Sequence, residues 1–381
     1  MKILFLLLFP FAVFSQEITP TEKVEASLNF SDDLDFQFLD IAINRQLESY
    51  EKKGLKGTIK FGKTVYPKTV LKESLKLLLK LSAEAQNCAL TEDKDSCSNE
   101  FSRKLNENFS VYRPLPKETE RGYKEKKAFF TSYYTPDFRG SYERTEEFKN
   151  PIFGLPATEE ERKYSRVEID FDRKLDGKNL EVMWVKETLF DIYFMHIQGG
   201  GRVVMPDGKK TYLSYSGKNG QKFEFVSKYL IESGLMERSK TNYFTQRAFL
   251  EEHPEHQRAT YATAPFFIYF KETSHEPEGL DGISLTEGRS LAWDNTVYKT
   301  LGVINFVSAV KTTHLDEEGN PVKKPFSRFF LAQDTGSAIR GNARADLYWG
   351  YGEDALFVAG KLMEIGDQYF LIKRDSKNQR K

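Results

Sequence analysis

The chain carries no surplus of charge: 56 Lys and Arg balance 56 Asp and Glu across 381 residues. With no basic excess to displace counterions along a phosphate backbone, nucleic acid is excluded as the main partner. Cysteine is nearly absent, Cys88 and Cys97 being the only two. Neither has a histidine beside it, so they make no zinc site. The five histidines show no HxH or HExxH spacing, which leaves no metal expected and His196 read as a hydrogen-bonded strand residue. There is also no GxSxG elbow, no P-loop and no dinucleotide fingerprint, since QGGGRV reads as part of a hairpin. Nucleotide chemistry drops out, and no cofactor is expected.

Long hydrophobic runs are missing as well. The apolar stretch from Ile3 to Phe14 follows Lys2, is too short to span a bilayer and ends at Ser15. It reads as a signal peptide over residues 1–15, with a mature chain from about Gln16 that is exported. In an oxidising compartment the polar eight-residue spacer of NCALTEDKDSC can close a loop, so a Cys88–Cys97 disulfide is expected.

What the chain has in quantity is aromatic residues, 31 Phe and 19 Tyr. They suit β-structure and also surfaces that stack on sugars. Residues 16 to 31 are polar and read as a flexible leader. Behind Ser31 as N-cap, Phe36, Leu39, Ile43, Leu47 and Tyr50 recur at helical spacing, and a second helix from Pro67 carries Leu71, Leu75, Leu78 and Leu81. After the charged segment PKETERGYKEKK come short strand patterns: KAFFTSYYTP, RVEIDF, LEVMWVKE, DIYFMHIQGGGRVVM, KTYLSYS, APFFIYFKE and PFSRFFLAQD. Their spacing predicts barrels or sandwiches, interrupted by few helices: Lys222 to Ser233, Thr245 to His253 and Ala355 to Ile365.

Three segments hold candidate chemistry. FTSYYTP sets the hydroxyls of Thr131, Ser132 and Thr135 beside the rings of Tyr133 and Tyr134, which fits the apolar faces and polar rims of a carbohydrate. In HIQGGGRV, Gln198 leads glycines that let a ligand approach the backbone. LAQDTGSAIRGNARADLYWGYG holds two aspartates, Asp334 and Asp346, each where a strand meets a turn. Glycosidic cleavage ordinarily uses an acid and a second carboxylate. By themselves, two such aspartates are equally at home in solvated loops.

Together with NPIFGLP, YSGKNGQKF and EGRSLAWD, these stretches resemble the membrane-bound lytic murein transglycosylase A family, in order over roughly residues 125 to 373. The resemblance implies a mainly β fold: a double-psi β-barrel over residues 110–165 and 275–373, an inserted β-domain over 166–274, and a helical segment within 16–110. It implies cleavage of the β-1,4 bond between N-acetylmuramic acid and N-acetylglucosamine in peptidoglycan, without water, to 1,6-anhydro ends. Asp346 is then the catalytic acid/base and Asp334 a supporting residue that helps to orient the site through backbone donors around Gly336. Thr131, Tyr133, Tyr134, Gln198, Gly199, Gly336, Tyr348 and Trp349 are the implied substrate contacts. Partners are peptidoglycan glycan strands and wall-remodelling proteins, met by a periplasmic monomer that is soluble or peripherally held. Ser132 and Gly200 depart from the family's usual glycine and serine, and the anchor cysteine of some members is missing. Two other functions fit the same residues: an inverting hydrolase using Asp346 with Asp334, and a glycan-binding wall protein without activity.

Overall fold

The computed structural model describes residues 16–276, 278–336 and 338–374, so the signal-peptide segment lies outside the described residues. The chain opens with β1 (Gln16–Ile18), β2 (Thr21–Val24), α1 (Leu39–Lys53), β3 (Thr58–Phe61), β4 (Thr64–Pro67), α2 (Thr69–Cys88) and α3 (Lys94–Asn108). Residues 16–24 are therefore no loose leader. β1 pairs with β3, β2 pairs with β5 (Phe109–Pro114), and the buried Glu17 carboxylate accepts the amides of Lys299 and Thr300. Nor does Ser31 start a helix. The next residue, Asp32, accepts the amides of Leu34 and Phe36 and holds a turn, so α1 begins only at Leu39. α3 escaped the sequence reading because its apolar stripe is thin: Cys97, Phe101 and Leu105 are its buried apolar residues. A disulfide joins Cys88, at the end of α2, to Cys97 in α3.

β6 (Ala128–Thr135) enters the main sheet. Next come β7 (Asp137–Ser141), β8 (Asn150–Phe153), α4 (Glu159–Arg162), α5 (Arg166–Asp170), β9 (Glu181–Val185), α6 (Leu189–Gln198), β10 (Gly200–Val204), β11 (Lys210–Lys218), α7 (Val226–Glu232), α8 (Tyr243–Glu252), α9 (Pro254–Ala262) and β12 (Ile268–Thr273). Their strands form a six-stranded sheet in the order β12-β11-β10-β7-β9-β8. β7 and β8 thus pair outside the barrel to which residues up to 165 had been assigned. Two strand patterns turn out helical for local reasons. RVEIDF becomes α5 because Ser165 and Glu168 form a capping box, and DIYFMHIQ lies in α6 because Thr188 and Asp191 form another. Gly199 ends α6 in the left-handed conformation, at φ 83°, so the glycines after Gln198 mark a helix-to-strand junction.

The remaining elements are β13 (Ser290–Trp293), β14 (Ile304–Leu315), β15 (Pro321–Thr335), β16 (Arg344–Tyr351), α10 (Gly352–Ala359) and β17 (Glu364–Lys373). Pairing runs β14-β15-β13-β16-β6-β17 and returns to β14, which closes a six-stranded barrel. Alternation along β16 sends Ala345 and Leu347 into the barrel core and sets Arg344, Asp346 and Tyr348 on the opposite face. Ile365, expected at the end of the last helix, instead pairs with Phe129 from β17.

The EGRSLAWD stretch ties the parts together. Arg289 donates two hydrogen bonds, of 2.6 and 2.8 Å, to Asp32, and both side chains are 0% exposed. Trp293 packs in the core, while Asp294 accepts the amide of Gly341 and so pins the loop before β16.

Candidate active site

Across four neighbouring strands, Asp334 pairs with Ala292, Ala292 with Asp346, and Asp346 with Thr131. Residues opposite each other across a ladder share a face, so the two carboxylates and the threonine look the same way. A register shift between Leu291 and Ala292 leaves Gln333 unpaired in β15, and Asp334 is turned to this face by that bulge. Two strand spacings separate the aspartate backbones, roughly 10 Å.

Asp346 is partly open, its side chain 21% exposed. Its Oδ1 accepts hydrogen bonds from the Thr131 hydroxyl and, at 2.8 Å, from Arg344 Nη1. Arg344 also donates to Thr131 Oγ1 at 2.6 Å. Among the described residues nothing bonds Oδ2. Burial raises the pKa of Asp346 above the ordinary carboxylate range, against the pull of the Arg344 charge.

Asp334 is held differently. Tyr133 reaches over from β6 and donates its hydroxyl to Asp334 Oδ2 at 2.9 Å. Burial pushes the carboxyl up to about 6, against the lowering pull of the Thr335 and Leu280 amides and the Tyr133 hydroxyl. Behind Tyr133 stands Tyr348, ring centroids 5.2 Å apart, with its hydroxyl 2.8 Å from Thr135 Oγ1.

Of the residues expected to touch substrate, Thr131, Tyr133, Gln198, Gly199 and Gly336 keep some exposure. Three do not. Tyr348 is wholly buried behind Tyr133. Tyr134 points to the core face beside Phe194, although its amide donates to Gln198 Oε1 at 3.2 Å. Trp349 falls on the inward phase of β16 and packs against Phe326 and the Arg328 guanidinium, 4.9 Å from its ring. His196 is buried and hydrogen-bonded as expected, but on α6: its Nδ1 faces Arg166 Nη2 at 2.7 Å, and burial holds its pKa well below the usual value.

Arg344 was missed. Its signal was available, because a residue two positions before Asp346 on the same strand must share its face. Where the second sheet approaches the barrel, Arg202 forms a bidentate pair with Asp137, both contacts 2.7 Å, and lies 4.5 Å from the Tyr351 ring.

Known proteins resemble this chain in sequence and in fold. A family model described as the MltA specific insert domain matches residues 129–271, and one described as the 3D domain matches residues 289–372. Membrane-bound lytic murein transglycosylase A of Vibrio cholerae serotype O1 is 30% identical over 261 residues, 68% of this chain and 69% of that protein. The chain belongs to the membrane-bound lytic murein transglycosylase A family. The family member of Escherichia coli K12 is 30% identical over 245 residues, 64% of this chain and 65% of its own length. Among solved structures, a membrane-bound lytic murein transglycosylase from Agrobacterium tumefaciens matches with a TM-score of 0.67 at 23% identity, covering 95% of this chain and 99% of that one. E. coli MltA with bound chitohexaose matches with a TM-score of 0.70 at 22% identity, covering 94% and 96%. At these identities the two structures speak for the fold.

Proposed function

We propose that this member of the lytic murein transglycosylase A family cleaves the β-1,4 bond between N-acetylmuramic acid and N-acetylglucosamine in peptidoglycan, with Asp346 as the one acid and base. The observation that carries the reading is the one-sided bonding of Asp346: two donors hold Oδ1, and Oδ2 is left to carry a proton. That proton goes to the leaving glycosidic oxygen. The sugar's own C6 hydroxyl then attacks C1, and Asp346, ionised by its donation, accepts the hydroxyl proton as the 1,6-anhydro ring closes. No water enters. An intramolecular nucleophile can be worth effective molarities on the order of 10⁵ to 10⁸ M, and general acid/base transfer adds about 10² to 10⁴.

Arg344 and Thr131 serve the middle of this sequence, when the carboxylate is charged and needs donors already in place. Asp334, held by the Tyr133 hydroxyl, orients the site. Thr131, Tyr133, Gln198, Gly199 and Gly336 meet the glycan in a groove between the barrel, taken as residues 110–136 and 275–373, and the sheet domain over 137–274. The Cys88–Cys97 disulfide supports an exported protein that works outside the reducing cytoplasm, and no helix among the described residues is long and apolar enough to cross a membrane.

Inverting hydrolysis is the second reading. It draws on Asp334, a carboxyl pushed up to about 6 on the same face. Digesting purified peptidoglycan and weighing the released ends separates the two. Anhydromuramoyl ends, lighter by one water, are expected; reducing ends overturn the lytic reading, and no release overturns both.

A further inference from the structure

Beside Asp346 lies a cavity of about 400 Å³ lined by Lys117, Glu120, Arg121, Phe129, Arg340 and Arg344, among others. Four of these side chains are cations. The single carboxylate, Glu120, is already engaged, accepting the amides of Asn342 at 2.8 Å and Ala343 at 2.9 Å. Lys117 and Arg121 are exposed and form no ion pair among the described residues. Arg340 Nη1 donates to the carbonyls of Gly336 at 3.2 Å and Ile339 at 2.7 Å and lies 3.8 Å from Asp294, so among the described residues its charge has only a long-range partner. The guanidinium groups of Arg121 and Arg344 both pack on the Phe129 ring, at 4.7 and 5.0 Å. Arg344 already donates to Asp346, Thr131 and the Ala345 carbonyl, whereas Arg121, fixed on the aromatic ring, has its in-plane N–H groups free to fork onto a carboxylate. Cations gathered this closely repel one another unless an anion joins them.

The position of the cavity gives the anion its source. Phe129 pairs with Arg344 exactly two residues below the Thr131–Asp346 pair on the same face, a step of about 7 Å along the strands. Arg344 belongs to both places, lining the cavity and bonding Asp346. A glycan seated at Asp346 therefore lies next to the cavity, and the anions that a peptidoglycan strand carries are the lactyl and peptide carboxylates of its muramic acid residues.

We propose that this cavity is a carboxylate-binding subsite for the lactyl side of muramic acid, holding either a carboxylate of the attached peptide or the free lactyl carboxylate of a peptide-stripped strand. The proposal rests on the assignment of Asp346 to a peptidoglycan-cleaving site, and it adds a reason for the chain to select where along the glycan it acts. PKETERGYKEKK, a charged segment without assigned purpose in the sequence, becomes one wall of the subsite.

Isothermal titration of the full chain tests it with ligands that lack the scissile bond: N-acetylmuramoyl tripeptide, N-acetylmuramic acid, and both compounds with their carboxylates converted to amides. Binding is read without cleavage, so failure here is distinct from failure to form anhydro ends in the digest. The acids should bind and the amides should bind at least roughly tenfold more weakly, the scale of one charge-assisted hydrogen bond. The stronger of the two acids identifies the source of the carboxylate. The double variant Lys117→Gln, Arg121→Gln, both on exposed side chains, should lose that preference while keeping the parent's melting temperature. Amides that bind as well as the acids, or a double variant that retains the preference, overturn the proposal.

Discussion

Two arginine–aspartate pairs stand on the same barrel and do opposite work. Arg289 and Asp32 are both 0% exposed and joined through both carboxylate oxygens, and Asp32 also holds three backbone amides, those of Leu34, Phe36 and Phe329. Nothing in that pair is left to offer a substrate. Arg344 and Asp346 are 17% and 21% exposed and joined through one oxygen only. Saturation makes the first pair a fastening between the N-terminal segment and the barrel, while the second pair keeps an unspent oxygen on an accessible face, which the proposed acid/base role of Asp346 requires.

Four experiments break or sharpen that contrast. Asp346→Asn removes the transferable proton and should lower the rate of anhydro-end formation by about 10² to 10⁴, with a melting temperature close to the parent's in a thermal scan. Asp32→Ala should do the reverse. Leaving Arg289 buried and uncompensated costs about 3–5 kcal/mol, read by denaturant unfolding, while activity per folded molecule persists. Tyr133→Phe deletes the donor to Asp334 and should slow turnover roughly tenfold, the value of one hydrogen bond to a charged acceptor.

A further effect is in pH. Asp334 has a folded-state pKa of about 6, above its ordinary 3.8. Between those values the folded chain binds more protons than the unfolded one, so stability falls as pH rises from about 4 to 6 and levels off above. Asp334→Asn should remove that part of the slope in unfolding curves taken across the window, and a slope identical to the parent's would show that Asp334 is not buried as described.

The sequence was legible wherever one residue's neighbours decide its state. Asp334 and Asp346 could be marked because one follows the apolar run PFSRFFLAQ and the other precedes LYW, and of the barrel strands β6 and β15 showed as KAFFTSYYTP and PFSRFFLAQD, while β13 and β14 did not stand out. What stayed hidden had two sources, local caps that outweigh an alternating pattern and partners far along the chain. RVEIDF and DIYFMHIQ alternate well enough to pass for strands until the capping boxes at Ser165 and Thr188 are weighed. Tyr348 and Trp349 read as sugar-stacking residues, but burial behind Tyr133 and against Arg328 is set by strand phase and by the other side of the barrel. The polar leader at Gln16 looked loose because its fasteners, Thr58 and Lys299, are distant in sequence.

The central claim is the asymmetry between the two aspartates, and a side-by-side time course of anhydromuramoyl ends from Asp346→Asn and Asp334→Asn on the same peptidoglycan tests it most directly. The account predicts that Asp346→Asn forms anhydro ends about 10² to 10⁴ times more slowly than the parent and that Asp334→Asn forms the same ends with a clearly smaller loss. Product from Asp346→Asn at a rate equal to or above that of Asp334→Asn would contradict it.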